Sequence, residues 1–208
     1  MLKTESIIFT YDGISNFTFP DIQLNNGNSL LVLGDSGVGK TTFIQILAGL
    51  LKPTSGQVHL GSVNYNELST KEMDQFRGKN IGVIFQNPYF VRNLNILDNL
   101  LLSLYLSENK QDKNRVIQLL NELGLGNKLD CMPDNLSQGE QQRASIALSV
   151  IKQPNIILAD EPTSSLDDVN CQKIITLLKE QADKNKSKLI IITHDNRIKD
   201  QFDKSIIL

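Results

Sequence analysis

The feature that most constrains how this 208-residue chain folds is a glycine-rich segment at residues 34–41. It reads Gly34-Asp35-Ser36-Gly37-Val38-Gly39-Lys40-Thr41, lies between an apolar strand pattern at 29–33 and a helical pattern at 41–50, and fits Gly-x-x-x-x-Gly-Lys-Thr. Its glycines allow backbone N–H groups to curl around phosphate oxygens at the positive end of the helix dipole. The segment therefore predicts a strand-loop-helix unit that holds a nucleotide, with Lys40 on the β- and γ-phosphates and the Thr41 hydroxyl on Mg²⁺.

A second strand pattern closes on two carboxylates. Residues 155–159 are mostly apolar, and Asp160 and Glu161 follow directly. The carboxyl ends of parallel strands meet at the ligand crevice, so we expect both acids to face the nucleotide. Asp160 is suited to the Mg²⁺ shell and Glu161 to act as general base on the attacking water. An Asp-Glu pair in this position is often only a solvated turn or a helix cap, but the glycine-rich segment favours the functional interpretation.

Buried strands alternate with helices along the chain, which predicts an α/β fold with a mostly parallel sheet. The predicted strands are 6–9, 21–24, 29–33, 57–60, 81–85, 155–159, 188–193 and 205–208, and the predicted helices are 41–50, 94–106, 110–123, 139–150 and 169–184. We therefore expect a single domain over 1–208. Residues 1–86 and 151–208 form its α/β core, and an all-helical insert occupies 87–150.

Composition excludes several classes of protein. The net charge of −2 offers no global attraction to nucleic acid or anionic lipid. Cys131 and Cys171 are far apart, without nearby histidines, and are expected to be reduced thiols. No secretory signal is recognisable at the start, and the most apolar window, 94–106, is too short and too polar to span a bilayer. If the protein works at a membrane, another polypeptide is expected to supply the span.

The segment Leu136-Ser137-Gln138-Gly139-Glu140 resembles the signature motif of the ATP-binding-cassette (ABC) ATPase family. Taken with the two motifs above, the resemblance covers essentially the whole chain. It implies a nucleoside-triphosphatase with a RecA-like core, an antiparallel β subdomain and an inserted helical subdomain. It also implies that two copies dimerise head to tail, so that the signature of one copy caps the γ-phosphate held by the other. The Ser137 hydroxyl, the Gly139 N–H and the dipole of the next helix all suit an anion.

Four further residues resemble family motifs in the expected order. Gln86 is similar to the glutamine that binds Mg²⁺ and water, and His194 to the switch histidine on the γ-phosphate. Asp167, in Ser164-Ser165-Leu166-Asp167, is similar to the loop that crosses the dimer interface, and Tyr11 to the aromatic that stacks on adenine. Each alone has a plain structural explanation: polar surface for Gln86, a structural role for His194, a helix cap for the Ser-Ser-Leu-Asp segment and a half-buried aromatic for Tyr11. The full set that the resemblance assigns to nucleotide is Tyr11, Gly34, Asp35, Ser36, Gly37, Val38, Gly39, Lys40, Thr41, Thr42, Ser137, Gly139 and Asp167, with Thr41, Gln86 and Asp160 on the metal.

Two positions depart modestly from the family pattern. Gln138 stands where glycine is commoner, and Ser165 where a small apolar residue is usual. Neither removes a catalytic group, so we expect Glu161, His194, Gln86 and Lys40 to support hydrolysis. The segment 77–86 is similar to the lipoprotein-release, macrolide-export and cell-division branch of the family.

The resemblance implies an ATP-hydrolysing subunit of a bacterial transporter. Its expected partners are a second copy of itself and a separate transmembrane permease, at the inner face of the cell membrane, with no nucleic acid. The alternatives are a mechanotransmission ATPase of a cell-division-type complex, a soluble ABC ATPase acting on DNA or the ribosome, and a nucleotide-binding module without turnover. Leu94, Leu97, Leu101 and Leu104 recur at helical spacing and are expected either to line a groove for a partner helix or to pack the core of the insert.

Overall fold

The computed structural model describes residues 1–164 and 166–208. The strands, in chain order, are β1 (Leu2–Thr10), β2 (Asn16–Thr18), β3 (Gln23–Leu24), β4 (Ser29–Leu33), β5 (Ser55–Leu60), β6 (Val63–Asn64), β7 (Ile81–Ile84), β8 (Ile156–Asp160), β9 (Lys188–Thr193) and β10 (Ser205–Ile207). The α-helices are α1 (Lys40–Leu47), α2 (Thr70–Asn80), α3 (Ile96–Leu106), α4 (Lys113–Glu122), α5 (Gln138–Val150) and α6 (Asp168–Asn185). Short 3-10 helices occupy Tyr65–Glu67, Pro133–Asn135 and Asn196–Gln201.

A parallel sheet in the order β10-β4-β9-β8-β7 forms the centre of the fold. Every residue of β8 and β9 is buried, because helices cover both faces. Along β8, Ile156 and Leu158 join the cluster packed around α1, while Ile157 and Ala159 join the cluster packed around α5 and α6. Side chains on the two faces of this one strand therefore pack into two different hydrophobic clusters.

An antiparallel sheet in the order β2-β1-β5-β6, with β3 also paired to β1, lies beside the first cluster. The pairing of β1 with β5 shifts register between Glu5 and Ile8. Opposite this irregularity Gly56 adopts φ +88, and a Cβ there would lie 2.4 Å from the carbonyl oxygens of Glu5 and Ser6. Only glycine fits this approach of the two strands.

Helices α3, α4 and α5 lie between β7 and β8 in the chain and share a buried cluster. Helix α3 begins later than the sequence pattern suggests, because the Asn95 side chain caps it by accepting from the Asp98 N–H at 2.7 Å. Asp112 caps α4 in the same way. Of the four spaced leucines, Leu97 and Leu104 are buried in the cluster and Leu101 packs against it. The structure therefore supports core packing over a partner groove lined by these leucines.

The predicted fold class is confirmed by this arrangement, and one helix is missing from the sequence-based prediction. The hydrophobic pattern assigns no element to residues 70–80, yet they form α2. Its start carries a capping box in which the Ser69 hydroxyl and the Glu72 carboxylate satisfy each other's backbone N–H groups. The Ser-x-x-Glu spacing at 69–72 was the available signal. Across the described residues, no helix combines the length and the apolar character needed to cross a membrane.

Candidate active site

The glycine-rich segment leaves β4 and enters α1 at the edge of the parallel sheet where the strands end. Gly37 and Gly39 adopt φ +87 and +97, a left-handed conformation that side-chain-bearing residues rarely take. A Cβ on Gly39 would also lie 2.8 Å from the ring of Phe17. The loop borders a cavity of about 660 Å³ lined by Phe17, Asp35, Ser36, Gly37, Gly39, Lys40, Thr41, Thr42, Gln86, Glu161 and His194.

Lys40 is almost completely buried, at 8% exposure, at the centre of this cavity wall. Its ammonium donates to the carbonyl oxygens of Gly34 and Asp35 at 2.9 and 2.8 Å. The Glu161 carboxylate lies 3.5 Å from the same nitrogen. Carbonyl oxygens of the loop therefore fix the Lys40 ammonium, which places a positive charge where phosphate oxygens would bind.

Thr41 and Asp160 provide the oxygen atoms that suit a divalent cation. The Thr41 hydroxyl donates to Asp160 Oδ2 at 3.0 Å, across the gap between α1 and the end of β8. Asp160 Oδ1 is buried and has no hydrogen-bond partner among the described residues. Burial, helped by the charge of Glu161, raises the pKa of the Asp160 carboxyl. A cation at this point would satisfy the orphaned oxygen and reverse that shift.

Protein residues alone do not form a metal cage at this point. Within 1–164 and 166–208 there is no cluster of three or more His, Cys, Asp or Glu side chains that could hold an ion. Mg²⁺ fits such a site because it binds through one or two protein oxygens and completes its octahedron with water and phosphate. Gln86, which lines the same cavity, adds an amide oxygen to this donor set.

Glu161 directly follows β8 and has a left-handed backbone, φ 49, that turns its side chain toward β9. Its carboxylate accepts from the Thr193 hydroxyl at 2.7 Å, from the His194 backbone N–H at 3.1 Å and from His194 Nδ1 at 2.8 Å. The Glu161 side chain is 9% exposed, and the His194 side chain remains open to solvent. Two neighbouring strand ends therefore hold a carboxylate and an imidazole together beside the Lys40 ammonium.

A hydrogen-bonded network continues behind this pair. Asp195 accepts from the Thr163 hydroxyl at 3.1 Å and binds the Arg197 guanidinium through three bonds of 2.9, 3.1 and 2.7 Å. Arg197 holds the pKa of Asp195 down to about 2. The same guanidinium reaches Asp168 at 2.5 Å, at the start of α6. The segment after His194 is thus tied to the segment that leads into α6.

The signature residues lie elsewhere on the surface. Ser137 is exposed, and its hydroxyl donates to Glu140 Oε2 at 2.9 Å within the capping box of α5. The Ser137 N–H bond to Glu140, with the nearby Lys128, lowers the pKa of that carboxyl to about 2. Asp167 is exposed too and caps α6 by accepting from the Asn170 N–H at 2.9 Å. Ser165, its neighbour in the predicted interface loop, lies outside the described residues.

Tyr11 directly follows β1, and it is 65% exposed. Its hydroxyl shares a hydrogen bond of 3.0 Å with Thr42 Oγ1. Its ring packs edge-on against Phe17, with centroids 6.2 Å apart. Of these two aromatic residues only Phe17 lines the cavity, and Tyr11, the one identified by sequence reasoning, packs against Phe17 outside that lining.

The model of a known family, described as "ABC transporter", matches residues 19–164 of the chain. The chain belongs to the ABC transporter family. The lipoprotein-releasing system ATP-binding protein LolD of Legionella pneumophila (strain Lens) is 36% identical over 190 residues, which cover 90% of this chain and 84% of that protein. The macrolide export ATP-binding/permease protein MacB of Rhodopirellula baltica is 34% identical over 189 residues, 89% of this chain and 28% of MacB.

Solved ABC structures agree with the same assignment. The dimeric post-hydrolysis structure of the ATP-binding cassette MJ0796, bound to ADP and Pi, has a TM-score of 0.90 and 29% identity, covering 100% of this chain and 94% of that one. The cbiO1 structure from Clostridium perfringens, part of the transporter complex cbiONQ, has a TM-score of 0.85 and 26% identity, covering 99% and 83%. The predicted family, branch, fold and ATPase activity are therefore confirmed: the chain is the ATP-binding, ATP-hydrolysing subunit of an ABC transporter.

For this ABC ATPase, the structure brings the glycine-rich loop, Gln86, Asp160, Glu161 and His194 together at one sheet edge. It leaves Ser137, Gly139 and Asp167 outside that cavity. Sequence reasoning missed Phe17, Thr163, Thr193 and Arg197. No local motif marks Phe17, and the other three are polar residues whose importance depends on partners distant in the chain.

Proposed function

We propose that the chain hydrolyses ATP with Mg²⁺ in a head-to-tail dimer and thereby drives a separate transmembrane permease from the inner face of the cell membrane. The convergence of Lys40, Glu161 and His194 on one cavity carries the proposal. Those three groups match a reaction that needs a cation for the γ-phosphate, a base for water and a further γ-phosphate contact.

Phosphate and metal binding are assigned to the loop and its neighbours. The backbone of residues 34–42 and the Lys40 ammonium would cradle the β- and γ-phosphates, because the lysine is already fixed by two loop carbonyls. Thr41, Gln86 and Asp160 would hold Mg²⁺, which when bound neutralises charge on the phosphate oxygens. Tyr11 would stack on adenine beside Phe17.

Glu161 is assigned as general base and His194 as the contact to the γ-phosphate. The Glu161 carboxylate is hydrogen-bonded to His194 and Thr193. Accepting a proton from water requires one of its oxygens to face the cavity. Oε1 lies toward the cavity residues Lys40 and His194, while Oε2 accepts from the buried Thr193 hydroxyl.

Dimerisation is assigned to the exposed signature and to the loop before α6. Ser137 and Asp167 present hydrogen-bonding groups to solvent, and neither lies in the cavity of its own chain. A second copy would bring its Ser137 hydroxyl and Gly139 N–H to the γ-phosphate from the opposite side. That closure excludes water and surrounds the developing charge with fixed donors.

The permease is assigned to a groove beside helix α3. This α3 groove, of about 420 Å³, has among its lining residues Tyr89, Val91, Leu102, Leu106, Leu148 and Lys152. Tyr89, Val91 and Leu106 are exposed apolar side chains. The Tyr89 ring packs edge-on against Phe85, 5.2 Å away, and Phe85 directly precedes the cavity residue Gln86. A helix seated in the groove would therefore be linked to the nucleotide cavity through the packed rings of Tyr89 and Phe85. The helical insert at 87–150 would carry the motion of dimer opening and closing to that helix.

Names of the relatives support this partner. MacB is an ATP-binding/permease protein, so its cassette and permease share one chain, of which our chain matches 28%. We propose that the permease of our ATPase is the equivalent part on a separate chain.

The test is capture with a tagged Glu161→Gln variant from detergent-solubilised membranes in the presence of ATP. The amide cannot accept the proton, so turnover should fall by roughly 10²–10⁴-fold while ATP binding persists and a dimer accumulates on gel filtration. A multi-span protein should be recovered in stoichiometric amount.

Lys40→Ala provides the matched control, because it should lose tight ATP binding, so that two copies of this variant should not be trapped as a dimer. If Glu161→Gln hydrolysed ATP near the wild-type rate, Glu161 would not be the base. Recovery of only ribosomal or DNA-associated proteins would instead support a soluble ABC ATPase.

A further inference from the structure

Lys152 places a positive charge at the wall of the otherwise largely apolar α3 groove. It follows the carboxyl end of α5, and its side chain is half-buried. The nearest acceptor to its ammonium is the backbone carbonyl of Arg77, at 3.5 Å, which is at the outer limit of a hydrogen bond. The ammonium is therefore poorly satisfied by the residues that the structure describes.

Two carboxylates on the segments that supply the groove residues Gly78 and Ser107 are engaged by other cations. Asp74 pairs with Arg77, and Glu108 pairs with Lys79 at 2.5 Å. Within the part of the chain that the structure describes, no carboxylate lies within ion-pair distance of Lys152. Lys152 thus differs from the surface lysines whose charge is matched by a partner.

The surroundings of Lys152 disfavour its charge. Burial, with the nearby charge of Arg77, lowers the pKa of the Lys152 ammonium to about 8. A carboxylate brought to the groove would compensate both effects and form a charge-assisted hydrogen bond out of bulk water. The apolar walls would exclude water from such a pair.

We propose that Lys152 receives a carboxylate from the permease segment that docks in the α3 groove. The docking segment is then a helix with an aliphatic or aromatic ridge, which covers Tyr89, Val91 and Leu106, and with one Asp or Glu directed at Lys152. The inference rests on the proposed function, and it adds the chemistry by which this chain selects its partner. Apolar contact supplies area, and the single ion pair fixes register and orientation.

Zero-length carbodiimide cross-linking tests the pair directly, because it forms an amide only between an amine and a carboxylate already in contact. The captured complex is treated, digested and analysed by mass spectrometry. The expected product joins the peptide that contains Lys152 to an Asp or Glu of the multi-span partner.

Two substitutions at the position separate charge from packing. Lys152→Arg keeps the cation but cannot form the amide, so partner recovery should persist while this cross-link disappears. Lys152→Met keeps the aliphatic length without the charge, and should weaken recovery roughly 10- to 100-fold by leaving the partner's carboxylate unpaired. Lys173→Met, on the exposed face of α6, is the matched control and should leave recovery unchanged.

The outcomes distinguish the two levels of the argument. If the chain with Lys152 and the Lys152→Met variant recover the permease equally, the ion pair is overturned. A cross-link from the permease to other lysines but not to Lys152 also overturns it. Both results leave the proposed function standing. Failure of the Glu161→Gln chain with Lys152 intact to recover any membrane protein overturns both.

Discussion

Glu161 depends on neighbours that lie far from it in the chain. Its carboxylate is oriented by Thr193 and His194, which follow it by 32 and 33 residues and lie at the end of the adjacent strand. Thr193 is completely buried, and its hydroxyl also accepts from the Asp195 N–H at 3.0 Å. Thr193 is therefore a positioning residue, which links the proposed base to the network around Arg197.

Thr193→Val should lower kcat for ATP hydrolysis roughly 10- to 100-fold, because Glu161 loses a donor that fixes its geometry. KM for ATP should change little, since the Thr193 hydroxyl donates to Glu161 and lies outside the residues that line the nucleotide cavity. The orphaned Asp195 N–H should also cost about 1–3 kcal/mol of unfolding free energy. Steady-state kinetics and urea unfolding measure the two effects.

Thr193→Ser provides the control, because it restores the hydroxyl without the methyl group. Recovery of most of the wild-type kcat is expected. A Val variant with raised KM and unchanged kcat would instead assign Thr193 to nucleotide binding.

At the scale of the element, caps and glycines decide where strands and helices begin and bend. Ser69 and Glu72 begin α2, and Asn95 sets the first turn of α3. Gly56 permits the close approach of β5 to the irregular part of β1. Gly61 has a similar left-handed backbone, but a Cβ at that position would meet nothing within 4 Å. Comparing substitutions at the two glycines therefore separates the free-energy cost of a left-handed backbone from the cost of a steric clash.

Gly61→Ala should destabilise the protein by about 1 kcal/mol through its positive φ alone. Gly56→Ala carries the same backbone cost and in addition forces the carbonyls of Glu5 and Ser6 to move, for a further loss of about 1–3 kcal/mol. Urea midpoints of the two variants measure the difference. Equal losses would show that β1 shifts away from the added methyl group without cost.

At the scale of the whole molecule, the residues assigned to ATP lie in two separate places on one chain. Lys40, Glu161 and His194 line one cavity, while Ser137 and Gly139 lie away from it on the same chain. If each ATP site forms between two copies, one copy supplies its glycine-rich loop and the other supplies the signature. A variant in the loop and a variant in the signature then alter opposite sides of a site.

Mixing Lys40→Ala with Ser137→Arg should restore ATPase activity, although each variant alone is inactive. In a mixed dimer one site carries both defects and the other carries none. With random two-fold pairing about half of the dimers are mixed, and one of their two sites is intact, so activity up to about a quarter of wild type is expected. The assay is ATP turnover against mixing ratio at constant total chain concentration.

The matched control mixes Lys40→Ala with Glu161→Gln. Both residues line the same cavity of one chain, so every mixed dimer carries a defect in each site and no activity should return. Restoration in the control, or none in the first mixture, would contradict a site shared between two copies.

Much of the site was predictable because its signals are short and local. The loop at 34–41 needs only a strand before it and a helix after it, and both are visible as apolar periodicity. The alternation of buried strands and helices likewise indicated a parallel sheet, and the order of the motifs indicated the family. These features depend on neighbouring residues, which a sequence displays directly.

The tertiary structure alone decided which strand ends meet. The order β10-β4-β9-β8-β7 brings Thr41 to Asp160 across 119 residues and Thr193 to Glu161 across 32. Tertiary packing also places Leu97 and Leu104 in the core. It places Lys152 in the α3 groove, without a carboxylate partner among the described residues. Such pairings follow from how helices and strands pack on both faces of the sheet, and packing joins residues whose separation in the chain gives no local sign of contact.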